Sequence, residues 1–388
     1  LTFSTLALVL ALGLAGPLLS WRASWHLPVI LGELLAGIVF GATGFGVLHA
    51  SDPIFTFLAD MGFALVMFVA GTHVPVRQAA VRAALGVGLL RAVAVGLIAA
   101  VAGFALAAWF DTGHGALYAV LIASSSAALA LPIIDSQGLQ GRSILELTAQ
   151  VAVADTACIV ALPLVIDVDN AGRAALGAVT VAVAAAALWF GLRALERSGV
   201  RKRIHRVSED RMFALELRVS LAVLFGLAAL ATRTHVSIML AGFAAGLAVA
   251  GVGEPRRVAR QLFAISDGFL APLFFVWLGA RLNLREFEQQ PRLIALGLAL
   301  GVAAVLAHGL MRVLGQPITL TTLAAAQIGV PVAAVTVGSQ LQVLEPGEGA
   351  AMMLGALVTI AAAATGVAIA ARRNSPGENR GGSTDPGK

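Results

Sequence analysis

Residues 144–166, ILELTAQVAVADTACIVALPLVI, form an apolar run long enough to cross a bilayer as one helix of about 34 Å. Near the middle of the run stands a carboxylate, Asp155. A charged side chain at the centre of a membrane helix costs about 2.5–3.5 kcal/mol on insertion scales, so it persists where it faces a polar cavity and acts there. Asp155 therefore reads as a site for an ion or a proton. The alternative is a structural carboxylate bonded to neighbouring helices.

The rest of the chain repeats this pattern. Of its 388 residues, 59% are hydrophobic and only 12% charged, with 42 glycines. The mean hydropathy is +0.90. These values describe an all-α polytopic membrane protein and exclude an ordinary soluble enzyme. A barrel is disfavoured, because the apolar runs span about 20 residues and lack period-two alternation. The single cysteine, Cys158, excludes an internal disulfide and argues against a cysteine-rich metal site. The basic balance does not point to nucleic acid; it follows from topology. No cofactor is implied, and the lipid bilayer is the first partner.

Thirteen spans are predicted, in round boundaries 2–21, 28–47, 54–72, 81–108, 115–137, 144–166, 172–194, 212–232, 235–251, 264–280, 292–314, 317–341 and 346–371. The first lacks a basic n-region and reads as a spanning helix, not a cleaved signal. With the C-terminus in the cytoplasm, nineteen of the 26 Lys and Arg residues fall inside and five outside. The positive-inside rule thus places the N-terminus outside. The charged stretch Arg193 to Arg211 separates six spans from six, with the seventh as linker. That parity permits the second set to be an inverted copy of the first.

Matching interruptions support the repeat. The fifth span carries Ser124-Ser125-Ser126, and the twelfth carries Gln327-Ile328-Gly329-Val330-Pro331. Polar, Gly and Pro residues at membrane depth free backbone groups that lipid cannot satisfy, so both segments are expected as broken helices around a cavity. Otherwise they serve close helix packing alone. The tail 372–388, rich in Gly, Pro and Ser, is predicted to be disordered.

Among the seven histidines only His308 lies inside a span, where its imidazole is a candidate partner for Asp155. Glu33 is a candidate for an access funnel. Arg91, deep in the fourth span, is expected to pair with a carboxylate or a helix C-terminus.

Several segments together resemble the monovalent cation:proton antiporter-2 family, which includes NapA-type sodium/proton exchangers and the membrane part of Kef-type potassium efflux systems. They are Leu27-Pro28-Val29-Ile30-Leu31-Gly32-Glu33-Leu34-Leu35-Ala36-Gly37 with Phe40-Gly41; Met61 to Gly71; Ser124 to Ala127; Asp155; Ala241 to Leu247; and Pro272 to Gly279. The resemblance implies an NhaA-like fold with two crossed discontinuous helices, in which Asp155 binds the ion. It further implies a homodimer in the cell membrane that exchanges Na⁺ or K⁺ for protons by alternating access.

The resemblance assigns residues 1–80 and 212–291 to a dimerisation side, 81–171 and 292–371 to the core, and 172–211 to the linker helix and a cytoplasmic loop. Two departures stand out. Ala154 precedes the aspartate where relatives often carry a polar residue, and His308 takes the place of a frequent lysine. A Kef-like potassium pore and a sodium-coupled organic anion symporter are the other readings of the same fold. A hydrolase built on Ser125 and His308 lacks any nucleophile motif.

Overall fold

The computed structural model describes residues 1–21, 29–74, 79–136, 139–198, 214–234, 236–253, 256–285, 287 and 290–374. Leu27, Pro28, His26, His205, His235, most of the loop after Arg197 and the predicted tail from residue 375 lie outside these residues.

The described residues fold into helices. In chain order they are α1 (Phe3–Gly13), α2 (Ala15–Ser20), α3 (Val29–Phe40), α4 (Pro53–His73), α5 (Ala79–Phe110), α6 (Gly115–Ala123), α7 (Ala127–Ser136), α8 (Arg142–Val165) and α9 (Ala171–Arg197). There follow α10 (Leu215–Arg233), α11 (Ile238–Val252), α12 (Arg256–Ile265), α13 (Ala271–Arg281), α14 (Arg292–Gly309), α15 (Ile318–Ala324), α16 (Gly329–Leu341) and α17 (Glu348–Asn374). A π-helical turn, Ser266–Leu270, joins α12 to α13. Ten segments are long and apolar enough to cross a membrane. At three other predicted spans the helices are shorter: α3, α11 and the broken pair α6 and α7.

Two expectations shift at their edges. The predicted span 264–280 begins earlier, because Arg256–Ile265 continues into it as a basic, amphipathic first section. The last helix runs to Asn374, three residues into the predicted tail.

The helices pack as two sets. A core set comprises α5 to α8 and α14 to α17; a panel set comprises α1 to α4, α10, α11 and α13. The helix α9 lies against both α8 and α11. In the panel, α4 and α11 cross with backbones nearly touching. A Cβ at Gly71 would lie 2.3 Å from the Phe243 carbonyl oxygen, and one at Gly246 would lie 2.1 Å from that of Phe68. Only glycine fits at those points, and the close approach replaces the hydrophobic drive that lipid does not supply.

Polar groups are distributed unevenly. Of eighteen buried polar or charged side chains among the described residues, sixteen lie between Arg91 and Asp155 or between His308 and Thr359, in the core set. The outer surface is the reverse: Leu97, Val101 and Phe104 of α5 and Leu176 and Val183 of α9 stand exposed. An apolar exterior around a polar interior is the arrangement a bilayer solvent demands.

Candidate functional site

The two predicted breaks are both present and they meet. The first runs through Ser124, Ser125 and Ser126 between α6 and α7, and the second through Ala325 to Ile328 between α15 and α16. Ser126 N–H donates to the Ala326 carbonyl at 2.9 Å, joining the two breaks through their backbones. Ser125 Oγ donates to the Ala324 carbonyl at 2.6 Å. Ser124 Oγ bonds the Gln327 side-chain oxygen, and the Gln327 N–H reaches Thr359 Oγ1 on α17. Backbone and hydroxyl donors of the first break thus meet carbonyl and amide oxygens of the second.

Asp155 projects from the middle of α8 onto this crossing and is 4% exposed. Its Oδ2 accepts a hydrogen bond of 3.1 Å from the N–H of Ala127, the first residue of α7. An anion is therefore held at a helix N-terminus, where unpaired N–H groups and the helix dipole favour negative charge. A cavity of about 30 Å³ opens beside the carboxylate, lined by Ser126 and Gly329 of the core set and by Phe63, Met67 and Phe275 of the panel. That volume suffices for about two waters or one partly dehydrated cation. Among the described residues no group of three His, Cys, Asp or Glu side chains could hold a metal. A cation here would have one carboxylate, with hydroxyl, carbonyl or water oxygens around it.

His308 sits on the same crossing, fully buried, but it does not bond Asp155. Its Nδ1 lies 2.9 Å from the Ala304 carbonyl and its Nε2 lies 3.3 Å from Ser125 Oγ. The sequence expectation of a direct His308–Asp155 pair is corrected accordingly: the ring turns Nδ1 to the Ala304 carbonyl and Nε2 to Ser125, and the serine triplet stands between His308 and Asp155.

Of the remaining predicted residues, one lines the cavity and the others are placed elsewhere. Gly329 lines the cavity and Pro331 occupies the first turn of α16, where a missing N–H costs nothing. Arg91 is buried and meets both expectations, pairing with Glu146 Oε2 at 3.1 Å and donating to the Leu314 carbonyl at 3.1 Å. It ties α5 to α8 and to the end of the α14 segment. Glu33 is buried at the contact of α3 with α2, where Gly16 leaves room for its Cγ. It lies one turn from Ile30, which lines the cavity.

Sequence reading missed a second polar centre. Glu348, fully buried at the start of α17, accepts from Tyr118 Oη at 2.6 Å and meets His114 Nδ1 at 2.6 Å on the same oxygen. Its other oxygen accepts from the Glu345 N–H at 3.0 Å. His114 lies in the loop before α6, and its hydrogen bond to Glu348 holds the imidazole above the usual histidine range. The available signal was weak, since Glu348 reads as an ordinary helix-start carboxylate and His114 as a loop residue.

Comparison with known proteins bears on the fold and the family. A solved structure of a sodium proton antiporter from Methanocaldococcus jannaschii superposes with a TM-score of 0.66 at 18% identity, covering 95% of this chain and 96% of that one. This likeness establishes the fold. A putative Na⁺/H⁺ antiporter of Bacillus subtilis is 23% identical over 92% of this chain and 61% of its own length. A Na⁺/H⁺ antiporter of Synechocystis is 26% identical over 81% of this chain and 46% of its own. A glutathione-regulated potassium-efflux system protein of Enterobacter is 27% identical over 68% of this chain and 42% of its own. The chain thus spans about half the length of these relatives. The family model for the transmembrane sodium/hydrogen exchanger matches residues 5–373. By that match, across nearly its whole length, the chain belongs to the sodium/hydrogen exchanger family of integral membrane proteins.

Proposed function

We propose that this protein is a secondary-active antiporter that exchanges Na⁺ or K⁺ for protons by alternating access, with cation and proton competing for Asp155. One observation carries the reading: a buried carboxylate held by a single backbone N–H faces a cavity sized for a small ion, on the plane where core and panel meet. The negative charge needs a compensating partner before it can move through a dry interface. Either a proton or a cation supplies it, and both cannot do so at once. Competition at one carboxylate then couples the two fluxes. The names of the relatives support both ions as cargo, some being sodium/proton antiporters and one a potassium-efflux protein.

The wider reading follows the same lines. The helices form thirteen spans as an inverted repeat of six plus six around α9, with the N-terminus outside and the C-terminus in the cytoplasm of a bacterial inner membrane. The core set carries the ion and moves against the panel, which forms a homodimer. His308 bonds Ala304 and Ser125, so it braces the crossing and carries no transported proton. Exchange is then one proton for one cation and electroneutral.

The test is proton movement in proteoliposomes carrying a pH gradient, with Na⁺, K⁺ and Li⁺ added in turn. At least one cation should collapse the gradient without generating a membrane potential. A gradient indifferent to all three removes the antiport reading, and a cation-driven potential removes the electroneutral one.

A further inference from the structure

A second cavity lies where α8, α9 and α11 meet. It has a volume of about 660 Å³ and is walled by Val160 of α8, Ala182 and Ala185 of α9, and Phe243 and Ala244 of α11. That size falls within the roughly 300–1,000 Å³ of small-molecule sites. Its walls are almost wholly apolar, and Val160 and Val179 at its border are exposed on the membrane-facing side. The helices α9 and α11 run parallel along it, since Gly177 abuts Val236 at one end and Gly251 abuts Trp189 at the other.

The Trp189 end is chemically distinct. Arg193, one turn further along α9, places its guanidinium 4.9 Å above the Trp189 ring. An arginine stacked on tryptophan is suited to a membrane interface, where one face is apolar and the other meets headgroups. Basic residues gather in sequence at the same end. Arg197 closes α9, Arg201, Lys202, Arg203 and Arg206 come after it in the sequence, and the amphipathic helix α12, with Arg256, Arg257 and Arg260, begins five residues after Gly251. Such juxtamembrane clusters attract acidic lipid, at about 1 kcal/mol per basic residue near the surface.

We propose that this cleft binds one acyl chain of an acidic phospholipid, with its phosphate at Arg193. The occupant is a lipid because the cleft is apolar along its length, opens sideways to the bilayer, and ends in positive charge. The site also has a mechanical position. Thr156, adjacent to Asp155 in α8, lines it together with α11 of the panel. A chain lodged there separates the core from the panel along the plane on which they slide, so acidic lipid is expected to raise the exchange rate severalfold. That rate effect rests on the antiport reading; the binding does not.

Native mass spectrometry of the full chain, delipidated and then offered dioleoylphosphatidylglycerol or dioleoylphosphatidylcholine, reads the binding directly. The wild type should retain one more phosphatidylglycerol per protomer than phosphatidylcholine. Ala182→Trp, which fills the cleft, and Arg193→Gln, a surface change that leaves packing intact, should each lose that lipid. Equal retention of the two lipids, or unchanged retention in Arg193→Gln, overturns the proposal. Conversion of a wild-type dimer to a monomer by Ala182→Trp would assign the cleft to a second copy and equally overturn it. In liposomes, the rate should rise with phosphatidylglycerol in the wild type and stay flat in Arg193→Gln. Retained selective binding with no cation-driven proton flux in any lipid counts against antiport and leaves the lipid site standing.

Discussion

The panel and the core both pack helices without water, and they differ in how much polarity they bury. The panel relies on glycine: at Gly71 and Gly246 the backbones of α4 and α11 approach until no Cβ fits, and among the described residues only Glu33 of α3 and Ser266 of the turn before α13 are buried polar side chains there. The core buries serines, glutamines, a histidine, an arginine and carboxylates, and it satisfies them through cross-bonds between two broken helices. A surface built on close backbone contact is rigid and chemically silent. One built on polar groups at helix breaks can change its charge state. On the proposed reading, the chemistry belongs to the core and the bearing surface to the panel.

Asp155→Asn should separate the two regions most sharply. The amide keeps the shape and loses the titrating charge, so cation-driven proton flux should fall to the level of empty liposomes while yield and melting temperature stay near wild type. Undiminished exchange would dissolve the distinction between core and panel. Gly71→Leu should do the reverse. Forcing a side chain against the Phe243 carbonyl overpacks the panel at a cost of about 1–3 kcal/mol. Thermal melting in detergent should then drop clearly, while the surviving protein keeps its wild-type KM for the cation.

Ser124→Ala tests the crossing on a smaller scale. It strands the Gln327 side-chain oxygen, and leaving a buried acceptor unpaired costs about 1–3 kcal/mol. If that cost is the unpaired amide, Ser124→Ala combined with Gln327→Leu should recover part of the lost melting temperature, giving a non-additive cycle. Strict additivity would show that the two breaks are not joined through this bond.

The smallest effect concerns the centre at Glu348. Hydrogen bonding to Glu348 raises the folded-state value of His114, opposed by partial burial and reinforced by the charges of Glu348 and Glu345. A raised value means that the stabilisation is fully present below the unfolded histidine value of about 6.5 and is lost as pH rises through the folded one. Wild type should therefore melt above His114→Gln by about 2 °C in mild acid, with the gap closing at alkaline pH. A gap that widens with pH would contradict the pairing.

The breaks were legible because polar and glycine residues in an apolar run leave few structural options, and Asp155 and Arg91 were legible because buried charge in a bilayer is costly. The partners were less so. The Arg91–Glu146 bridge joins residues 55 positions apart, and no local pattern in the sequence encodes that meeting. His308 illustrates the limit from the other side: depth in a span suggested a pairing with Asp155, but the direction of its ring depends on how α14 packs against the serine triplet. The glycine crossings of the panel were hidden among 42 glycines, because the sequence does not say which glycines meet a neighbouring backbone.

Competition at Asp155 is most directly tested by measuring the KM for the cation as a function of pH on the side where the cation binds, in proteoliposomes with the membrane potential clamped. Raising the proton concentration should raise the apparent KM in proportion and leave the maximal rate unchanged. A constant KM with a falling maximal rate would mean that the proton acts elsewhere, and the single-carboxylate account would be wrong.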